Sequence, residues 1–115
     1  HNVTIDESEL AIIFMNLIQN SIYWLSTIDI ERQIKVDIST DQQGLLIVMS
    51  DNGPGVKEGI EERIFEPYFS TKPDGIGLGL AIVGEIIADY DGEFSLLKNG
   101  YLGGASFRLL FKKRV

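Results

Sequence analysis

The set Leu10, Ile13, Phe14, Leu17, Ser21 and Trp24 recurs at helical spacing, and further apolar side chains flank it, which predicts a mostly buried helix over residues 8–25. Ahead of it, "VTID" has the pattern of a short strand, and Asp6 or Ser8 is placed to cap the helix, with acidic residues in its first turn. In "RQIKVDIS", Ile34, Val36 and Ile38 alternate with polar neighbours, the period of a half-buried strand. After the "TDQQG" turn, the apolar run of "GLLIVMSD" predicts a central strand pairing antiparallel with the one before it.

From 52 to 75 the periodicity is lost, apart from a short helical turn around "EERIF". So long an irregular connection in a small domain is more often functional than idle. Helix returns over 78–90, with Leu80, Val83, Ile87 and Tyr90 on one face and Gly92 at its end. Gly84 falls inside this helix, a position that suggests close packing. "EFSLLKN" and "ASFRLLFKK" read as two closing strands. The sum is an α+β fold, a two-layer sandwich with a mixed, mostly antiparallel sheet covered on one face by helices.

Composition narrows what such a fold can do. With 115 residues, 44% of them apolar, the chain is expected to form one domain, spanning 1–115. It opens on "HNVTID" without an initiator Met, so it reads as a fragment of something longer with a partner domain upstream. Zero cysteines exclude disulfides and thiolate metal sites, and the lone histidine is the first residue, which argues against a histidine-based catalytic or zinc site. Ten basic against seventeen acidic side chains give a net charge of −7, unfavourable for unspecific nucleic-acid binding. No apolar run is long enough to span a bilayer. A polyanionic ligand would have to be held by backbone N–H groups, a metal ion or a few placed lysines.

Four stretches have chemical potential. Asn16 and Asn20, four residues apart, project from one face of the first helix. Either they lie on a solvated strip, or they face a ligand and offer an amide oxygen to a hard cation such as Mg²⁺. In "SDNGPGV", Asp51 ends an apolar strand and Gly53 and Gly55 let the chain turn. That is a good turn, and equally a place where a carboxylate could accept a hydrogen bond from an exocyclic amine and select adenine over guanine. "FEPYFSTKPDG" holds Phe65, Tyr68 and Phe69 as loop anchors or as part of a flap from which Lys72 reaches a phosphate. Gly75, Gly77 and Gly79 precede a helix N-terminus, where backbone N–H groups and the dipole favour an anion. No Lys-Ser/Thr pair follows them, so this is not a Walker loop, and no strand directly precedes them as a dinucleotide fingerprint requires.

Taken in order, these stretches resemble the catalytic ATP-binding domain of sensor histidine kinases, in the wider superfamily of gyrase, Hsp90 and MutL ATPases with the Bergerat fold. "NLIQNSIYW" is similar to the family's asparagine box, "DNGPG" to its first glycine box, "IFEPYFSTK" to its phenylalanine box and "GIGLGLAIV" to its second glycine box. "GGASF" resembles the closing glycine segment, and the likeness runs from about residue 5 to 111. The resemblance implies that Asn20 holds the Mg²⁺ bridging the ATP phosphates, with Asn16 on the same wall. It implies that Asp51 accepts the adenine amino group, with Gly53, Gly55, Val56 and Leu80 shaping the pocket and Trp24 either stacking on the base or filling the core. Gly75, Gly77 and Gly79 would cradle the phosphates, and Lys72 would approach the β or γ phosphate.

Two positions depart from the family pattern. Tyr23 stands where these kinases often carry a phosphate-reaching Lys or Arg. Asn16 stands where the Hsp90 and MutL branch has a water-activating Glu, and a neutral amide cannot serve as that base. The resemblance therefore implies γ-phosphate transfer to a histidine on a separate phosphoacceptor domain of the same, dimeric parent, with a response regulator downstream. It implies a cytoplasmic domain without nucleic-acid or membrane contact, in a parent that is soluble or membrane-anchored. The alternatives are an anti-sigma type serine/threonine kinase, an ATPase, or a non-catalytic nucleotide-sensing module on the same fold.

Overall fold

The computed structural model describes residues 4–70, 77–97, 100 and 102–112. Helix α1 spans Glu7–Leu25, and Asp6 caps it, accepting from the N–H groups of Ser8 and Glu9. The Ser8 hydroxyl, then the Glu9 and Ser8 amides, hold the Asp6 carboxyl below its ordinary pKa. Residues 4–6 form no strand, contrary to the reading of "VTID", and Asp6 is committed to the cap. The Asp6 amide itself donates to Tyr90 Oη at 2.9 Å, and that phenol donates to Glu9 Oε1 at 2.8 Å. The Asp6 amide draws the phenol's pKa down, but the Glu9 hydrogen bond, burial and the Glu9 and Asp6 charges outweigh it and raise it.

Strands β1 (Ile34–Thr40) and β2 (Gly44–Asp51) form the expected antiparallel pair, with Val36 opposite Met49 and Ile38 opposite Ile47. A 3-10 turn at Arg63–Phe65 is followed by helix α2 (Gly79–Asp89), β3 (Glu93–Leu96) and β4 (Ser106–Lys112). The sheet order is β1-β2-β4-β3, and each pairing among the described residues is antiparallel, so no parallel component of a mixed sheet is present there. The α+β two-layer arrangement is as expected: α1 packs on β2 and on α2, while α2 packs on β3 and β4. Ile13 and Leu17 of α1, Val83 and Ile87 of α2, and Ile47, Met49, Leu109 and Phe111 of the central strands build the core.

Burial differs from the sequence reading in two places. Helix α1 buries only the stripe Ile13, Leu17, Ser21 and Leu25, while Ile12, Met15, Ile18 and Ile22 are exposed, Met15 by 59%. On β1 all seven residues are exposed, Ile38 by 63%, although their register puts Ile34, Val36 and Ile38 on the helix-covered side of the sheet. The reason is coverage rather than periodicity: β1 is an edge strand beyond the reach of the two helices.

The end of α2 also differs in detail. Asp91 adopts φ 54° and donates to Ala88 O, while the Gly92 amide donates to Ile87 O, the Schellman arrangement with aspartate at the left-handed position. Gly92 is needed for space instead, since a Cβ there would meet the Leu110 carbonyl. Gly84 is not required for close packing, because an added Cβ would meet only Phe94 Cδ2, at an ordinary 3.8 Å. Gly84→Ala is therefore expected to raise stability by about 0.5–1 kcal/mol, by removing a helix-interior glycine. Urea denaturation of the two proteins measures the difference, and a lower midpoint for the variant would refute it.

Candidate functional site

Between α1 and the first turn of α2 lies a cavity of about 740 Å³, within the size range of small-molecule sites. Asn16, Gln19, Asn20 and Trp24 line it from α1, the i, i+3, i+4 and i+8 positions that share one helix face. Asp51 contributes from the end of β2, Gly55 and Val56 from the following loop, and Gly77, Gly79 and Leu80 from the start of α2. Nine of the positions singled out in the sequence thus converge on one space. Gly53 does not line it, but its amide supports Asp51 from behind, donating to Oδ1 at 2.9 Å. Lys72 and Gly75 lie outside the described residues.

Asp51 is the most constrained of these groups. It is 3% exposed, its Oδ1 accepts from the Gly53 and Ala105 amides, and its Oδ2 accepts from Ser21 Oγ at 3.0 Å. Its backbone is clamped as well, since Asp51 N donates to Ala105 O and Gly104 N donates to Asp51 O. A carboxylate taken out of water needs such partners, and here N–H and O–H dipoles supply them. Among the described residues no buried side-chain nitrogen or oxygen lacks a partner.

Leu78 starts α2 without a side-chain cap, and Gly77, Leu78, Gly79 and Leu80 line the cavity, so the uncapped helix N-terminus borders it. Gly77 has φ 74°, and a Cβ on it would lie 2.5 Å from Phe69 O, so no other residue fits this crossing. Its carbonyl accepts from Tyr68 N at 2.9 Å, tying the two ends of the segment between them. Asn16 donates to Ile12 O at 2.8 Å, and its Oδ1 lies 3.1 Å from where a Gly79 Cβ would stand. The half-buried Asn20 amide has no hydrogen-bond partner among the described residues. Its oxygen is a hard donor of the kind Mg²⁺ takes singly, with waters and ligand phosphates filling the remaining positions. The described residues hold no group of three or more His, Cys, Asp or Glu around a common point, so a cation at Asn20 would be shared with a bound ligand.

The three aromatics of "FEPYFSTK" take separate roles. Phe65 packs against Phe94 and Phe107 in the core, Phe69 lines the cavity under the Arg63 guanidinium, and Tyr68 is exposed at φ 67°. Tyr23 stands edge-on to Trp24, with ring centroids 4.9 Å apart, and does not line the cavity. Asn52 is a structural tie, receiving the Gln33 amide and donating to Glu31 O. The sequence reading missed Ser21, counted there as part of an apolar stripe, and it missed Gln19, Lys57, Ala105 and Phe107, all of which line the cavity. A signal for Ala105 was available in "GGAS", a glycine pair immediately before a strand.

Comparison with known proteins identifies the family and the fold. The family model described as "Histidine kinase-, DNA gyrase B-, and HSP90-like ATPase" matches residues 5–115. The sensor protein TdiS of Thauera aromatica is 38% identical over 119 residues, covering 90% of this chain and 22% of its own length. Among solved structures, the mycobacterial sensor histidine kinase MprB has a TM-score of 0.80 at 25% identity, over 97% of this chain and 75% of that one. Full-length ShkA in complex with AMPPNP has a TM-score of 0.74 at 29% identity, over 96% of this chain and 23% of that one. The chain therefore spans about a fifth of the length of TdiS and of full-length ShkA. Among the described residues no helix is long and apolar enough to cross a membrane.

Proposed function

Because the chain belongs to the family of histidine kinase-, DNA gyrase B- and HSP90-like ATPases, we propose that it binds ATP in this cavity and, within a longer sensor kinase, donates the γ-phosphate to a histidine on a separate domain. The observation that carries the reading is the convergence of Asn20, Asp51 and the uncapped N-terminus of α2 on one cavity. Asp51 accepts the adenine amino group, and Trp24, Gly55, Val56 and Leu80 enclose the base, with Gly53 bracing the carboxylate. Gly77 and Gly79 bring backbone amides to the phosphates, and for Lys72 and Gly75 a phosphate contact is proposed from the sequence resemblance alone. Asn20 would hold Mg²⁺, which when bound supplies the positive charge this acidic chain lacks there.

Transfer breaks the bond from the γ-phosphorus to its bridging oxygen while an imidazole nitrogen attacks in line, and ADP departs. Such a step requires positioning and charge stabilisation more than a strong base. Asn16 cannot take a proton from water, so hydrolysis is not the favoured outcome. The only histidine in the chain is His1, so another domain supplies the acceptor, in a dimeric parent whose phosphate passes on to a response regulator on the cytoplasmic side. The likeness to ShkA, solved with AMPPNP, supports the nucleotide assignment.

Calorimetric titration with AMPPNP, with and without Mg²⁺, tests the site. Asn20→Ala is expected to weaken Mg²⁺-dependent binding by about tenfold or more and to leave the Mg²⁺-free affinity nearly unchanged, the loss of one charged-group contact. Absence of binding to the parent chain at millimolar nucleotide would overturn the reading.

A further inference from the structure

Ser21 lies in the middle of α1, where a serine ordinarily turns its hydroxyl back to a carbonyl of its own helix or out to water. Here it does neither. It is 2% exposed, and its hydroxyl donates across to Asp51 Oδ2 at 3.0 Å, a contact between residues 30 positions apart. An ionised carboxylate has about four acceptor positions. Three protein donors, Gly53 N, Ala105 N and Ser21 Oγ, are already directed at this one. Two of them are backbone groups that converge on Oδ1, so that oxygen is held by the fold itself. Oδ2 is held by a side chain alone.

We infer that Ser21 is a positioning residue for base recognition: its hydroxyl fixes the Asp51 carboxylate so that one acceptor position remains, aimed into the cavity for a 6-amino group. This rests on the nucleotide reading proposed above and adds to it the source of its base selectivity. With Oδ2 held, a 6-oxo purine meets a fixed acceptor with its own acceptor and is rejected. With Ser21 removed, Oδ2 loses its protein donor while Oδ1 stays on the Gly53 and Ala105 amides, so the carboxylate is fixed from one side only and the amino group loses a pre-set partner.

The test compares the wild type and Ser21→Ala against three imido-triphosphates: AMPPNP, its inosine counterpart, and its purine-riboside counterpart, which carries only hydrogen at position 6. Ser21→Ala is expected to weaken AMPPNP about tenfold and to shift the other two by no more than about twofold, because only the 6-amino group uses the fixed oxygen. A thermal melt of both proteins reports on folding separately. An equal loss for all three nucleotides would show that Ser21 only supports the fold, and no loss for AMPPNP would show that the carboxylate needs no help; either overturns the inference. Failure of all three to bind the wild type would instead overturn the nucleotide reading itself.

Discussion

Asp51→Asn is expected to keep the fold and lose at least about a hundredfold in AMPPNP affinity, the scale of penalty for a buried polar site whose hydrogen-bond complement is inverted. The amide oxygen can remain on the Oδ1 side, where the Gly53 and Ala105 amides demand an acceptor. Its NH₂ then occupies the Oδ2 side. Ser21 Oγ can rotate to accept from it, but an adenine amino group entering the cavity would meet a donor with a donor. The same geometry favours a 6-oxo purine, so the inosine analogue should lose much less and the preference between the two bases should narrow or invert. Asp51→Ala is a poorer probe, because it leaves three buried donors without an acceptor, each at a cost of about 1–3 kcal/mol. Calorimetry with both nucleotides, beside a circular-dichroism melt, checks the outcome. Retention of AMPPNP affinity within a few-fold by a folded Asp51→Asn protein would remove Asp51 from base recognition.

Gly104→Ala is expected to cost about 3 kcal/mol of stability and to abolish nucleotide binding with it, since overpacking against backbone cannot be relieved by a rotamer change. A Cβ at this position would lie 2.5 Å from both Asp51 O and Asp51 Oδ1 and 2.7 Å from Gly53 N. These are the atoms that seat the carboxylate, and the Gly104 amide itself donates to Asp51 O. Gly103→Ala is the matched control. Gly103 has φ 87° with nothing within 4 Å of an added Cβ, so that variant bears only the strain of a left-handed backbone, about 1–2 kcal/mol. Guanidinium denaturation of both variants separates the two causes; a Gly104→Ala protein as stable as Gly103→Ala and still binding AMPPNP would mean that the two loops are not in close approach.

Both predictions concern contacts that no local pattern announces. The asparagine pair, the Asp51 strand end and the glycines before α2 were legible because each carries its chemistry within a few residues: a shared helix face, a turn after an apolar run, a helix start. The resemblance to a known family then ordered them. The Ser21 hydroxyl was not legible, since a serine at a core position of an amphipathic helix has the same spacing whether it is idle or bonded. Nor was the reason for Gly104, which only acquires a cost when the 102–105 loop is laid against Asp51. The aromatics Phe65, Tyr68 and Phe69 looked equivalent in sequence, yet they serve the core, the solvent and the cavity wall respectively.

By itself the sequence determined the two helices, the four strands from Ile34 onward and the α+β class, and it narrowed the α1 cap to Asp6 or Ser8. These depend on periodicity and on side chains acting within a turn or two of backbone. Tertiary structure decided coverage and convergence: that β1 is an edge strand with its apolar side open, that α1 buries one stripe and exposes Met15 and Ile22, and that Asp51 is seated by donors from α1 and the loop before β4. The physical reason is that periodicity states which way a side chain points, whereas burial and hydrogen-bond partnership depend on what another, distant segment places in front of it.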